Sequence, residues 1–158
     1  MNNTRYSYFW WAAPIGAILI VAFAANLISN RAVSSTGEFL VNTTIIRAPH
    51  GTINAQIAST SADQELGLGS RSSLSTDSGM LFEFSDPGSY AFWMKDMHFH
   101  LDMVWIGADK AVVGVTSNIP PDSYPNLFLP PRTISYVLEI NAGEAQKIAI
   151  ATGTQLVF

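Results

Sequence analysis

From Phe9 to Ile28 the chain reads "FWWAAPIGAILIVAFAANLI", twenty residues without a charge. Nothing else in the sequence limits the possible folds so strongly. A helix rises about 1.5 Å per residue, so this run spans about 30 Å, the thickness of a bilayer's hydrocarbon core. A small domain does not normally bury so long an uncharged segment. Trp10 and Trp11 stand at one end, where an amphipathic indole suits the headgroup zone, and Pro14 and Gly16 fall near the start, where a membrane helix tolerates them. The run therefore predicts an N-terminal transmembrane helix over 9–28, with residues 1–8 as a cytoplasmic tip. The alternative is a cleaved signal peptide, with Arg5 as its basic region, Phe9 to Val21 as its apolar core and "AFA" (22–24) as the cleavage site. The apolar run continues past that point through Leu27 and Ile28, which favours a retained anchor. Arg5 and Arg31 nearly balance across the run, and the N-terminus is expected inside. The expected location is thus the cell membrane, single-pass, with the domain on the extracytoplasmic side. After signal cleavage it would instead be secreted or periplasmic.

The chain has no cysteine, which excludes a disulfide framework, thiol catalysis and lipidation through cysteine. Beyond residue 31 there are six Lys/Arg against twelve Asp/Glu, a net charge of −6, and the basic residues never cluster. A nucleic-acid partner requires a basic stripe that displaces counterions, and none is present. No Walker loop or dinucleotide fingerprint occurs, so no cofactor is expected.

"SNRAVSSTGE" (29–38) is a polar linker. Residues 39–158 then have the length of one ordinary domain, and their dominant signal is strand. "FLVNTTIIR" (39–47) and "TINAQIA" (52–58) flank Pro49 and Gly51, as in a hairpin. "GMLFEF" (79–84) ends at the turn residues "DPG" (86–88), and "SYAFWM" (89–94) and "LDMVWI" (101–106) follow. "AVVGVTSNI" (111–119), "ISYVLEI" (134–140) and "QLVF" (155–158) complete about eight short strands. Two short helices are expected. One runs over 62–68, with Ser61 and Gln64 at capping-box spacing, and the other over 142–151, with Asn141 and Glu144 in the same relation. Five prolines between Asn118 and Thr133 make a stiff extended loop. The predicted fold is mainly β: a single jelly-roll-like sandwich or partly open barrel, preceded by the transmembrane helix.

The run "FWMKDMHFHLDMVWI" (92–106) is apolar at both ends and polar in the middle. A strand with one wet face would not be apolar at the ends of that face, so a break at Lys95 to Phe99 is expected, with "SYAFWM" and "LDMVWI" as the two arms of a hairpin. This run resembles the signature of the family called domain of unknown function 192 (DUF192). "QELGLGSR" (64–71), "SGMLFEF" (78–84), "YVLEINAG" (136–143) and "GTQLVF" (153–158) resemble further motifs of that family in order. The resemblance covers about residues 53–158. It implies a compact, mainly-β, jelly-roll-like domain, commonly exported or membrane-anchored, with no assigned activity. Asp96 stands where the family usually has Asn, His100 where it has Pro, and Gly69 where it has Met.

By that resemblance Arg71, Lys95, Asp102 and Glu139 fall on the family's charged positions. All four have apolar neighbours, where an unpaired charge costs several kcal/mol. Two cations and two anions that neutralise one another would form either a structural network or, with Trp93 and Met94 beside Lys95, the mouth of a site for a small molecule or carbohydrate. His98, His100 and Asp102 also make a His-x-His-x-Asp pattern, whose alternate positions could hold zinc or, with the nearby methionines, copper. Asp102 with Glu139, or with Asp96, could serve as the carboxylate pair of an envelope glycoside hydrolase. No G-x-S-x-G elbow is present. Non-catalytic binding or interaction is the leading reading, with metal handling and sugar hydrolysis as its rivals.

Overall fold

The structure is a computed structural model that describes residues 42–158. The expected transmembrane helix over 9–28 and the linker lie outside the described residues. Among the described residues no helix is long and apolar enough to cross a membrane.

The elements follow the β-branched runs. In chain order they are β1 (Thr43–Ala48), β2 (Gly51–Ala58), α1 (Ser61–Leu66), β3 (Ser78–Gly88), β4 (Leu101–Ile106), β5 (Val112–Ile119), a 3-10 turn (Pro121–Ser123), β6 (Ile134–Asn141) and α2 (Glu144–Lys147). The six strands form one sheet in the order β1-β2-β3-β6-β4-β5. Pro49 and His50 close the β1–β2 hairpin, in which Ala48 pairs with Gly51. Only β2 and β3 run parallel, because α1 carries the chain back between them.

The mainly-β class and the two short helices are as expected. The sandwich or barrel of about eight strands is corrected to six strands in a single open mixed sheet. "SYAFWM" is not a strand of that sheet and does not form a hairpin with β4. Phe92 and Met94 are instead buried against a sheet face, and the segment's one ladder contact is a bridge from Phe92 to Phe128. "DPG" does not turn the chain but lies at the irregular end of β3, where the register with β6 shifts between Glu83 and Gly88. "QLVF" contributes isolated bridges only. Val157 pairs with Arg47 beside β1, and Gln155 pairs with Ala111 beside β5, so the tail joins the sheet's two outer strands.

Both sheet faces are covered, which is why all six residues of β4 are buried. One face carries Ile53, Leu81, Val104, Ile106, Leu138 and Ile140, closed over by Ala145, Ile148 and Leu156. The other carries Met80, Phe82, Met103, Trp105 and Val137, beneath Leu68, Phe92 and Met94. The loop segments over this second face enclose the candidate site.

Both helix starts differ from expectation in their caps. α1 is capped by Thr60, whose side chain accepts from the Asp63 amide, and Gly67 ends it at φ 52°. α2 is shorter than predicted, with Gly143 as its N-cap and no local side chain capping it. Asn141 is not available for that task, because its amide donates to the carbonyls of Leu74 and Ser75.

Candidate functional site

Glu139 lies near the middle of β6, opposite Met80 on β3 and Met103 on β4. Opposed residues share a face, so its carboxyl stands on the second face of the sheet among methionine and aromatic side chains. The residue is 4% exposed. Burial pushes its pKa up from 4.5 to about 8, and among the described residues no hydrogen bond or cation holds it down.

The carboxyl faces a cavity of about 360 Å³. Phe82 and Phe84 of β3 line the sheet side, the α1 C-terminal turn at Leu66 and Gly67 forms one wall, and Tyr90, Trp93 and Lys95 form another. The aromatic rings brace one another. Phe84 and Tyr90 stack with centroids 3.7 Å apart, and Phe92 meets Phe82 edge-on at 5.0 Å. Leu66 and Trp93 remain exposed at 66% and 44%.

The predicted break at Lys95 to Phe99 is present. The Met97 amide donates to the Met94 carbonyl at 3.3 Å, and Asp96 adopts φ 56°. Asn and Asp are the non-glycine residues that best tolerate this left-handed conformation, so either acid or amide fits the position. The Ser70 amide donates to the Asp96 carbonyl at 2.8 Å, which ties the turn to the loop after α1. Those two loops hold the cavity wall against the sheet.

The structure brings together three of the expected site residues, Trp93, Lys95 and Glu139. Met94 packs beneath them at 1% exposure, inside the core. Arg71 lines a separate polar cleft of about 190 Å³ with Asn54 and Ser73, where it donates to the Gln56 side-chain oxygen at 2.6 Å. Asp102 is opposite Ile140 and so lies on the other sheet face, 1% exposed. Its carboxylate accepts from the amides of Asn118 (2.9 Å), Gly143 (2.9 Å) and Ala145 (3.1 Å), which caps α2 from a distance in sequence. The single mouth of four charges is therefore corrected. Among the described residues, ion pairs are confined to Lys147 with Asp77 and Glu144.

The same register separates Asp102 from Glu139 across the sheet, so they do not flank one substrate bond as a hydrolase pair must. His98 and His100 are exposed, and the His100 Nδ1 lies 3.0 Å from the Asn118 side-chain oxygen. Among the described residues no group of three or more His, Cys, Asp or Glu side chains is placed to hold a metal.

The sequence profile of DUF192, described as "Uncharacterized ACR", matches residues 44–158. The chain belongs to this family. No curated protein matches it. The DUF192 domain is similar to a candidate transcription regulator from Sinorhizobium meliloti 1021, at 27% identity and a TM-score of 0.72, covering 77% of this chain and 97% of that one. It is also similar to a protein of unknown function from Novosphingobium aromaticivorans DSM 12444, at 28% identity and a TM-score of 0.67, covering 73% and 85%.

Reading the sequence of this DUF192 domain missed Phe82, Phe84, Tyr90 and Leu66 as parts of the site. Strand parity places Phe82 and Phe84 on the Met80 face, so that signal was present in "MLFEF". Their meeting with Glu139 depends on the β3–β6 pairing, which no local pattern gives.

Proposed function

We propose that this protein is a membrane-tethered, extracytoplasmic binding domain whose aromatic cavity takes a small molecule, with Glu139 as its principal polar contact. The observation that carries the reading is a desolvated carboxyl with no partner among the described residues, facing a cavity of about 360 Å³. The carboxyl reaches the cavity and has hydrogen-bonding capacity that no described residue uses. A ligand that supplies a partner there takes up that capacity, and the aromatic walls add apolar contact. Lys95 and Trp93 line the same cavity. The role is non-catalytic binding, since Asp102 and Glu139 stand on opposite sheet faces. A transcriptional role like that suggested for the Sinorhizobium protein has no footing here, because a net charge of −6 beyond residue 31 repels a phosphate backbone.

The uncharged run 9–28 supplies the tether, and 29–38 the linker. Mass measurement of the mature chain and protease protection in intact cells test this part. A chain shortened by about its first 24 residues would replace the anchor with a secreted form.

Thermal-shift measurements on the full chain, in a sugar-free non-ionic detergent, test the site. A ligand that binds only the folded state raises the melting temperature. The screen covers alkylammonium compounds, neutral alcohols, saccharides and carboxylic acids. At least one class is expected to raise the transition in the wild type and not in Glu139→Gln. No shift from any class would end the proposal.

A further inference from the structure

We propose that the ligand of this cavity is a weakly hydrated organic cation, an alkylammonium group held among aromatic faces with Glu139 as its counter-ion. The inference rests on the binding role proposed above and names the ligand's chemistry. Three observations carry it. Glu139 is 4% exposed, lines the cavity and has no ion-pair partner among the described residues. Much of the wall around it is aromatic: Phe82, Phe84, Tyr90 and Trp93 line the cavity, alongside Gln64, Glu65 and Lys95. A ring face attracts a cation through its quadrupole, and aromatic walls cannot replace the water shell of a small inorganic ion, so alkylated ammonium is the cation that fits. Finally, two carboxyls, Glu65 and Glu139, line the cavity against the single ammonium of Lys95.

The groups facing Glu139 define its pH behaviour. α1 brings Glu65, and the 89–100 segment brings Tyr90 and Lys95. β3 and β4 bring only Met80 and Met103 at the opposed positions. In the empty cavity near pH 7 the Glu139 carboxyl holds its proton, because burial raises its pKa to about 8. A bound cation favours the carboxylate, so binding expels that proton and the free acid competes with the ligand. Only the ionised fraction is competent, so apparent affinity rises about tenfold from pH 6 to pH 7 and about fivefold more to pH 8.

The test compares choline with 3,3-dimethyl-1-butanol, its uncharged carbon isostere, and with glucose. Titration calorimetry on the full detergent-solubilised chain, in buffers of different ionisation enthalpy, reads affinity and proton release together. The expected result is choline binding with about one proton released per ligand at pH 6.5. The isostere should bind at least about tenfold more weakly at pH 8. Glu139→Gln should lose the pH slope and the proton release. Lys95→Met should keep both and bind choline more tightly, since it removes a like charge from the wall. An isostere that binds as well as choline, a pH-independent affinity, or preferential binding of glucose would overturn the cation while leaving a binding cavity. Failure of every probe, in a chain that melts cooperatively, would overturn the cation, and failure of the broader thermal-shift screen as well would overturn both readings.

Discussion

Replacing Glu139 with Gln should change how the stability of the protein depends on pH, whatever its ligand. In the folded state the carboxyl's pKa is raised from 4.5 to about 8 by burial. Between those values the folded chain keeps a proton that the unfolded chain has released. Stability therefore falls as pH rises through this window, and it is flat below about 4.5 and above about 8. Each pH unit inside the window removes about 1.4 kcal/mol, and the step from pH 5 to pH 9 removes about 4 kcal/mol. That is a large share of the 5–15 kcal/mol typical of a folded domain. A glutamine has nearly the same shape and no charge to desolvate, so the variant should lack this loss. The other carboxylates titrate in both proteins and cancel in the comparison. Urea titrations at pH 5, 7 and 9, followed by the fluorescence of buried Trp105, measure the difference directly. The variant should be close to the wild type at pH 5 and several kcal/mol more stable at pH 9. Parallel stability curves for the two chains would show that the Glu139 carboxyl is solvated or paired, and the reasoning would fail.

Asp102→Ala should destabilise the protein by about 3–5 kcal/mol, because three backbone amides, that of Ala145 buried, lose a charged acceptor at once. Hydrogen exchange should accelerate at Asn118, Gly143 and Ala145 in particular; unchanged protection there would refute the capping role. Gly79→Val should cost about 2 kcal/mol or more in chemical denaturation, since even a Cβ at that position would sit 2.8 Å from the Glu139 carbonyl oxygen and 2.9 Å from Ile140 Cγ2. Replacing His98 and His100 together with Ala should leave stability within about 0.5 kcal/mol, as expected for exposed side chains. The zinc content of that variant, measured by mass spectrometry, should equal the wild type's; a stoichiometric loss would revive the metal site.

Much of the fold was legible because strand signals are local. β2, β4, β5 and β6 lie within a residue or so of where β-branched runs and their flanking turns place them, and the hairpin at Pro49 follows from its turn residues. What failed was long-range. "SYAFWM" has every mark of a strand, yet Phe92 and Met94 are pinned in the core of the second face, so the segment covers the sheet instead of joining it. "DPG" looks like a turn, but Tyr90 folds back there, its hydroxyl donating to the Asp86 carbonyl at 2.6 Å and its ring stacking on Phe84. The caps show the same limit. Asn141 has good N-cap chemistry and Asp102 has no local reason to be a cap, yet tertiary contacts reverse the assignment.

The candidate site turned on a single bit of information, the parity of one strand pairing. Side chains alternate across a sheet with a period of two, so a shift of one residue in register moves every side chain to the other face. β4 and β6 pair so that Met103 opposes Glu139 and Asp102 opposes Ile140. That parity sends Asp102 and Glu139 to opposite sides. On one side Asp102 meets the amides of Gly143 and Ala145, and the site is saturated by backbone donors. On the other, Glu139 stands among methionine and aromatic side chains, and no described residue donates a hydrogen bond to it, so its bonding capacity is left for a ligand. In sequence the two residues look alike, acids set among apolar neighbours. Register alone makes one a structural clasp and the other an open valence in a cavity, and for that reason the functional reading follows Glu139 and not Asp102.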